Sequence, residues 1–250
     1  ELIYLVKSFE AQHLQHLCYG SSIAKTTTLS FHVKSNLTGT FSVGLVTQDG
    51  TARNIGSTYT IDSANTWEKK AITFVGDPSA TINNDAGHGL DMTFILAAGS
   101  NWTGTANSSW ANYANGRLAH GHNVNIASST SNEFYITGIQ WELGDVATPY
   151  KHETFGENAR RCQRYFRQVG TIRHQGANGD PCGQIIPLEP PMRAEPTVSG
   201  TNSTGGSHSI AGTGDFPNTQ IVYSGTAATS SSTAFIQFTG VTANAEVSGT

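Results

Sequence analysis

Large apolar residues alternate with polar ones through most of the first half of the chain. In the segments 29–34 and 41–45, every second residue is Leu, Phe or Val, with Ser, His, Lys or Gly between them. Successive side chains of a strand point to opposite faces, so this pattern predicts strands with one buried face. Asp49-Gly50 follows the second segment and predicts a turn of an antiparallel sheet.

Three more strands are predicted before residue 97. Tyr59 and Ile61 mark the first of them, and Ile72 and Phe74 mark the second. Trp67 is out of phase with Ile72, which predicts either a bulge near Glu68–Lys70 or a Trp that belongs to the preceding turn.

The segment 90–96 has the clearest alternation in the chain. Its large apolar side chains share one face, and they are Leu90, Met92, Phe94 and Leu96. Asp91, Thr93 and Ile95 face the other way. Residues 98–123 then form a long loop rich in Gly, Asn and Ser. A loop of this length is usually functional or stabilised by its own packing.

A closing strand is predicted over Phe134–Leu143. Its apolar side chains fall on both faces, Ile139, Trp141 and Leu143 on one and Phe134 and Ile136 on the other. A strand that is apolar on both faces is predicted to lie inside a packed structure. Thr148-Pro149 forces extended backbone and ends the sheet.

An amphipathic helix is predicted after the proline. Thr154 and Glu157 have the spacing of a capping box. One apolar stripe follows, and it consists of Phe155, Ala159, Cys162, Phe166 and Val169. The stripe needs burial and the helix arginines need acidic partners, either Glu153 and Glu157 or acidic groups of neighbouring subunits. A trimer axis would supply both, which predicts an oligomer interface at Arg160, Arg164, Arg167 and Phe166.

Composition restricts the class of protein. Only 13% of the 250 residues are charged and 27 are Gly, which is typical of all-β extracellular or virion proteins with many turns. A formal charge of −4 gives no field that attracts nucleic acid. The apolar run Leu2–Val6 is too short for membrane insertion. The chain begins without Met, which predicts a processed piece or part of a longer protein.

The strand spacing predicts an all-β protein with three parts. Residues 1–152 form a jelly-roll β-sandwich, residues 153–169 a connecting helix, and residues 170–250 a small C-terminal β-sandwich. Five of the eight prolines lie between Pro181 and Pro196, which indicates extended or edge backbone. Few large apolar residues follow, so the last part is predicted to have a thin core that depends on neighbouring copies.

Several segments resemble a group of bacteriophage tail-fibre and structural virion proteins. The most specific are NEFYITGIQWELGDVATPYKHETFGENARRCQRYF and PPMRAEPTVS; the strands TLSFHVKS, FSVGLV, TWEKKAITF and FILAAGSNW match as a pattern. In that group a jelly roll like that of carbohydrate-binding modules leads through a helix to a smaller β domain. The resemblance implies a virion location and other tail proteins as partners.

The long loop carries the predicted ligand surface. Aromatic faces stack on sugar rings while amide and guanidinium groups bind hydroxyls. The predicted residues are Trp102, Trp110, Tyr113, Asn101, Asn107, Asn112 and Arg117. For any single Trp, the alternative is that it plugs the end of the sandwich or packs on a neighbouring subunit.

Motifs for metal binding or catalysis provide little evidence for either function. His13 with His16, and His120 with His122, lack a third ligand and are interpreted as solvated or hydrogen-bonded histidines. We predict no cofactor. The alternative is a structural calcium ion, whose oxygen ligands would come from Asp77, Asp85, Asp91, Glu142 and Asp145. No hydrolase, metalloprotease or phosphate-binding motif is present, so no enzyme is predicted.

These observations favour a non-catalytic tail-fibre segment that displays a host-glycan-binding surface. The first alternative is a carbohydrate-binding module with an accessory β domain from a secreted bacterial glycosidase. The second is an architectural connector without a ligand. A fibre segment should be an obligate oligomer with avidity from several copies, whereas a module should be a monomer.

Overall fold

The structure is a computed structural model that describes residues 1–176, 181–202, 206–211, 219–227 and 234–246. Antiparallel β-sheets make up most of the regular structure, which confirms the all-β prediction. The chain divides into two compact units that meet along the sequence between Lys151 and His152.

The first unit contains eight strands. They are β1 (Leu2–Glu10), β2 (Thr27–Ser35), β3 (Gly39–Thr47), β4 (Arg53–Ile61), β5 (Glu68–Phe74), β6 (His88–Ala98), β7 (Ala111–Asn112) and β8 (Phe134–Leu143). A 3₁₀ helix at Ala11–Leu17 and a short helix α1 at Ser100–Thr103 lie between them.

The eight strands form two sheets. The larger has the order β1-β6-β3-β4-β7, and the smaller has the order β5-β2-β8. Apart from the β3-β4 hairpin and the short β7, each strand lies in the sheet opposite its predecessor. This alternation between two packed sheets is the predicted jelly roll.

The core lies between the two sheets and follows the predicted alternation. Its fully buried side chains include Leu29, Phe31, Phe41, Leu45 and Met92. The Phe31 ring meets Tyr59 at 5.0 Å and Phe94 at 5.2 Å, edge to face in both cases. Such aromatic pairs add to the free energy gained from burial.

Trp67 lies just before β5, and β5 pairs with β2 without a register shift. The interpretation that Trp67 belongs to the preceding turn is therefore correct, and the bulge at residues 68–70 is wrong. Strand β1 was not predicted, because its apolar residues are consecutive.

The two predicted faces of β8 are wrong. Gly138 has φ +60°, and the register with β2 shifts by one residue between Ser30 and His32. The extra residue reverses the alternation, so Phe134, Ile136 and Trp141 all pack against the core. Ile139 is 44% exposed and Leu143 is 49% exposed, although the sequence predicts burial for both.

Helix α2 spans Phe155–Cys162 and begins with the predicted capping box. The Thr154 hydroxyl accepts the Glu157 amide, and the Glu157 carboxylate accepts the Thr154 amide. The predicted extension to residue 169 is wrong, because strand β9 starts at Phe166. Within the predicted stripe, Phe155 is 89% exposed, whereas Val169 lies on β9 and packs against the core of the second unit.

The described residues of the second unit form two three-stranded sheets. Their strands are β9 (Phe166–Gly176), β10 (Pro181–Pro187), β11 (Thr197–Asn202), β12 (Gly206–Ala211), β13 (Gln220–Ala227) and β14 (Ala234–Asn244). The sheet orders are β10-β13-β12 and β11-β14-β9. A small core draws on both sheets, with Leu188, Met192, Ile221 and Ala243 fully buried. The second, small β-sandwich is thus confirmed.

Candidate ligand-binding groove

The long loop after β6 packs on the outer face of the larger sheet. Its Leu118 and Ala119 are buried against Val46 and Ile95, and Trp102 packs on the same cluster. The side chains that β3 and β6 turn away from the main core therefore form a second apolar layer under the loop. The loop is stabilised by its own packing, one of the two alternatives that its length predicts.

Arg117 holds the loop to the sheet and to itself. Its Nε donates to Asn54 Oδ1 at 3.1 Å, Nη1 donates to the Ala106 carbonyl at 2.6 Å, and Nη2 donates to the Ser109 carbonyl at 2.5 Å. The rigid fork of a guanidinium can satisfy several acceptors at fixed angles. Arg117 is therefore a structural residue of the loop, with its donors directed at protein atoms.

A groove of about 320 Å³ lies between the loop and the outer face of the larger sheet. It is lined by Tyr4, Val46, Gln48, Ala52, Asp91, Thr93, Tyr113 and Leu118. Residues from β1, β3 and β6 form its floor, and the loop supplies one wall. Its volume is at the lower end of the roughly 300–1,000 Å³ typical of small-molecule sites.

Tyr113 is positioned by backbone contacts. Strand β7 pairs with β4, and the Tyr113 amide donates to the Ala52 carbonyl at 2.8 Å. The side chain is 38% exposed, and Tyr4 on β1 is 46% exposed. Partial burial, with a further contribution from Tyr4, raises the pKa of the Tyr113 phenol. Two half-exposed aromatic rings therefore border the groove.

Asp91 is the polar centre of the groove. Its Oδ1 accepts the Ser8 hydroxyl at 2.6 Å and lies 2.7 Å from His88 Nε2, while its Oδ2 accepts Gln48 Nε2 at 2.9 Å. An ionised carboxylate offers about four acceptor positions. The network fixes the carboxylate and leaves one acceptor position of Oδ2 for a ligand.

The three predicted aromatic residues do not form one platform. Trp102 packs in the layer under the loop, whereas Trp110 packs against the main core and on Tyr19 with ring centroids 5.6 Å apart. The Trp110 Nε1 donates to the Val75 carbonyl at 2.7 Å. Trp110 therefore packs within its own unit, and Tyr113 alone of the three lines the groove.

The predicted polar partners have mainly structural contacts. Asn107 is buried and donates to the Arg117 carbonyl at 2.7 Å, and Asn112 Oδ1 accepts Arg53 Nη1 at 3.1 Å. Asn101 is exposed on α1. Ligand binding by these residues stays a prediction.

The predicted oligomer interface belongs to the second unit. Arg160 is exposed on α2, and its neighbour Arg161 pairs with Glu153 at 2.8 Å, as one alternative predicts. Arg167 donates to the Glu189 carbonyl, and burial lowers the pKa of its guanidinium. Phe166 is exposed on β9 and Arg164 is partly buried just before it. The interface itself stays a prediction.

The acidic residues considered for calcium do not fit one site. Asp77 pairs with Arg53, Asp85 accepts the Gly87 amide, and Asp91 belongs to the groove network. Glu142 binds Thr148. Within the described ranges, no three His, Cys, Asp or Glu side chains come together as a metal-binding group.

The four histidines considered for a metal have other surroundings. His122 is buried between the Ser42 amide and the Val124 carbonyl, and His120 lies 3.3 Å from the Thr103 carbonyl. His13 and His16 lie on the 3₁₀ helix, where His13 is 4.0 Å from Glu10.

In the part of the chain that is described, no helix is long and apolar enough to cross a membrane.

Sequence reasoning missed most of the groove. Tyr4 lies on β1, Asp91 lies on β6 and Gln48 directly follows β3, and only the sheet order brings these distant segments together. The one available signal was the outward face of β6, where Asp91 and Thr93 were predicted to point away from the core.

No protein-family profile matches the chain, and no curated protein matches it significantly.

Proposed function

We propose that this chain is a non-catalytic, glycan-binding segment of a bacteriophage virion, and that the groove binds the glycan. The observation that carries the proposal is the pair Tyr4 and Tyr113 at the edge of a groove whose centre is the Asp91 network. The sequence resemblance to tail-fibre proteins supports the virion role.

The chemistry of the groove suits a sugar ring. The face of a phenol ring covers the apolar C–H face of a pyranose, and fixed amide and carboxylate groups bind its hydroxyls. Gln48 and Asp91 are held by each other, so binding does not have to order them. Thr93 and Val46 provide a floor of mixed polarity.

A virion segment would act in several copies. One shallow groove gives weak binding, and repeated copies on one particle raise the effective strength through avidity. The homotrimer belongs to this proposal, together with other tail proteins as partners and a host cell-surface glycan as ligand. Large exposed apolar side chains, such as Val146 at 70% and Phe155 at 89%, support an association that covers them.

The experiment is a glycan array probed with the biotinylated full chain tetramerised on streptavidin. We expect binding to a restricted set of glycans, lost in Tyr113→Ala and in Tyr4→Ala and retained in Trp102→Phe. Absence of binding to every glycan, or equal binding by all variants, would overturn the groove as the site and favour an architectural connector.

The oligomeric state separates the virion proposal from the carbohydrate-binding module. Light scattering on the full chain should give the mass of a stable oligomer, expected to be a trimer. A monomer that still binds glycans through the groove would favour the module from a secreted glycosidase.

A further inference from the structure

A second aromatic cluster lies at one end of the smaller sheet. The Lys34 ammonium is 4.6 Å from the centre of the Tyr135 ring and 5.5 Å from the centre of the Trp67 ring. The two ring centres are 6.4 Å apart, with an angle of 60° between the planes. Trp67 is 47% exposed and Tyr135 is 43% exposed. We call these three residues the Lys34 cluster.

The turn that carries Trp67 is fixed by hydrogen bonds. The Glu68 carboxylate accepts the backbone amides of Asp62 at 2.9 Å and Ser63 at 2.8 Å. The Asn65 amide donates to the Ser35 carbonyl at 2.7 Å, which ties the turn to the end of β2. Trp67 therefore does not need to be ordered by a ligand.

The start of β8, which carries Tyr135, is fixed in the same way. The Ser35 hydroxyl donates to the Glu133 carbonyl at 2.6 Å, and the Glu133 amide donates to Asn36 Oδ1 at 2.8 Å. The Glu133 carboxylate lies near the Tyr135 hydroxyl, and its negative charge raises the pKa of this phenol.

Lys34 differs from its neighbours on the sheet. Lys70 pairs with Glu68 at 2.6 Å and Asp62 at 3.5 Å, whereas Lys34 has no carboxylate within 4.0 Å among the described residues. Two ring faces hold its ammonium in place of an anion. A second exposed cation, Lys69, lies opposite His32 on the neighbouring strand β5.

We propose that the Lys34 cluster is a second binding site, specific for a saccharide that carries a carboxylate. The pyranose would stack on the exposed indole of Trp67, and its carboxylate would pair with the Lys34 ammonium. Charge complementarity argues for this ligand, because the ammonium already occupies the position at which a cationic ligand would face the rings. The site lies on the sheet opposite the groove and does not depend on it.

The test titrates the full chain with two matched pairs of probes. They are trigalacturonate against its methyl ester, and sialyllactose against lactose. Tryptophan fluorescence and chemical shifts report binding. The variants are Lys34→Met, which keeps the aliphatic stem, and Trp67→Ala, with Trp67→Phe as a conservative partner. Tyr113→Ala is the control that damages only the groove.

We expect at least one acidic probe to bind at millimolar concentration, and its neutral counterpart to bind about tenfold more weakly or not at all. A charge-assisted hydrogen bond of the usual strength corresponds to about a tenfold loss or more in Lys34→Met. Trp67→Ala should lose binding, Trp67→Phe should retain most of it, and Tyr113→Ala should bind like the wild type.

Three results would overturn the proposal. They are no binding of either acidic probe, equal binding of acidic and neutral probes, and wild-type affinity in Lys34→Met. If acidic binding fails while the glycan array remains positive and sensitive to Tyr113→Ala, only this second site is removed. If the array is negative while acidic probes bind in a Lys34-dependent way, only the groove is removed.

Discussion

Arg53 and Asp77 form a buried ion pair in which Nε lies 2.6 Å from Oδ2 and the carboxylate is fully shielded from solvent. Asp77 also accepts the Ser79 amide at 2.9 Å. Arg53 begins β4 and donates to Asn112 on β7. The pair therefore connects the segment after β5 to the edge of the larger sheet that supports the groove.

Arg53→Met should destabilise the first unit by about 3–5 kcal/mol. The substitution leaves a buried carboxylate without its cation, which costs far more than the loss of an exposed pair. Denaturant unfolding measured by tryptophan fluorescence suits this test, because all four tryptophans lie at or before residue 141 and report on the first unit. The exposed Lys69→Met is the control and should change stability by less than about 0.5 kcal/mol. An equal change in both variants would contradict the prediction.

Arg117→Lys should loosen the long loop while the sheets stay intact. A lysine ammonium cannot reproduce the fork that binds Asn54, Ala106 and Ser109. We expect a loss of about 2–4 kcal/mol, from charge-assisted bonds of about 1.5–3 kcal/mol each. Amide hydrogen exchange should accelerate in residues 104–118 and remain slow in β3 and β6. Asn101→Ala, on the exposed side of the same loop, should leave both measurements unchanged.

Gly138→Ala should destabilise the first unit by about 1–2 kcal/mol. At φ +60° a residue with Cβ is strained, and the new Cβ would lie 3.3 Å from His32 Nδ1. Gly138→Asn should cost less, because Asn tolerates the left-handed region better. The matched control is Gly104→Ala, at φ −81° with its nearest atom 3.8 Å away, which should be nearly neutral. Equal stability of the Gly138→Ala variant and the wild type would show that a Cβ at residue 138 causes no strain, which would contradict the prediction.

His122 should make the first unit less stable in acid. Burial lowers the pKa of His122 below its ordinary 6.5, although the hydrogen bond to the Val124 carbonyl opposes the shift. The unfolded chain therefore binds more protons than the folded one once the pH falls below about 6.5. The contribution of neutral His122 to the free energy of unfolding is complete above that pH. It is lost as the pH falls towards the pKa of His122 in the folded chain, by at most about 1.4 kcal/mol per pH unit.

Comparison of the wild type with His122→Asn isolates this contribution. The variant keeps an acceptor for the Ser42 amide, which lies 3.3 Å from His122 Nδ1, but it has no imidazole to protonate. Its free energy of unfolding should depend less on pH between 8 and 5, so the two stability curves should converge in acid. Parallel curves would assign the acid sensitivity to other groups.

The sequence predicts the core strands because they alternate strictly. Strands β2, β3 and β6 each turn one apolar face inward, and burial of that face decides their register. Strand β1 escapes prediction because Leu2–Val6 is continuously apolar. It lies at the edge of the larger sheet, where Tyr4, Leu5 and Val6 are all exposed. Buried and exposed residues therefore do not alternate in this segment, and the sequence shows no alternating pattern.

Two errors arise from features that reasoning from hydrophobic periodicity cannot detect. A left-handed glycine in β8 inserts one residue and moves Trp141 to the face of Phe134. Phe166 and Val169 continue a helical spacing, yet they belong to β9, which pairs with the distant strand β14, where Phe166 lies opposite Asn244. Long-range pairing overrides local helical periodicity there.

The candidate site was even harder to predict from the sequence than these strands. Tyr113 was named because it is an aromatic residue on a polar loop, but its partners Tyr4, Gln48 and Asp91 become neighbours only through the order β1-β6-β3. The loop residues predicted with Tyr113 instead provide contacts that hold the loop, as Asn107 and Arg117 illustrate.

The chain beyond β8 folds back over the outside of the smaller sheet. The Gly144 carbonyl accepts the Thr28 hydroxyl at 2.8 Å, the Glu142 carboxylate accepts the Thr148 amide at 2.9 Å, and the Lys151 amide donates to Gln140 at 2.9 Å. Residues 144–151 therefore belong to the jelly roll as a strap. A fragment intended for expression should stop after Lys151, since truncation at Leu143 would uncover the buried Thr28 and leave Gln140 and Glu142 without their partners.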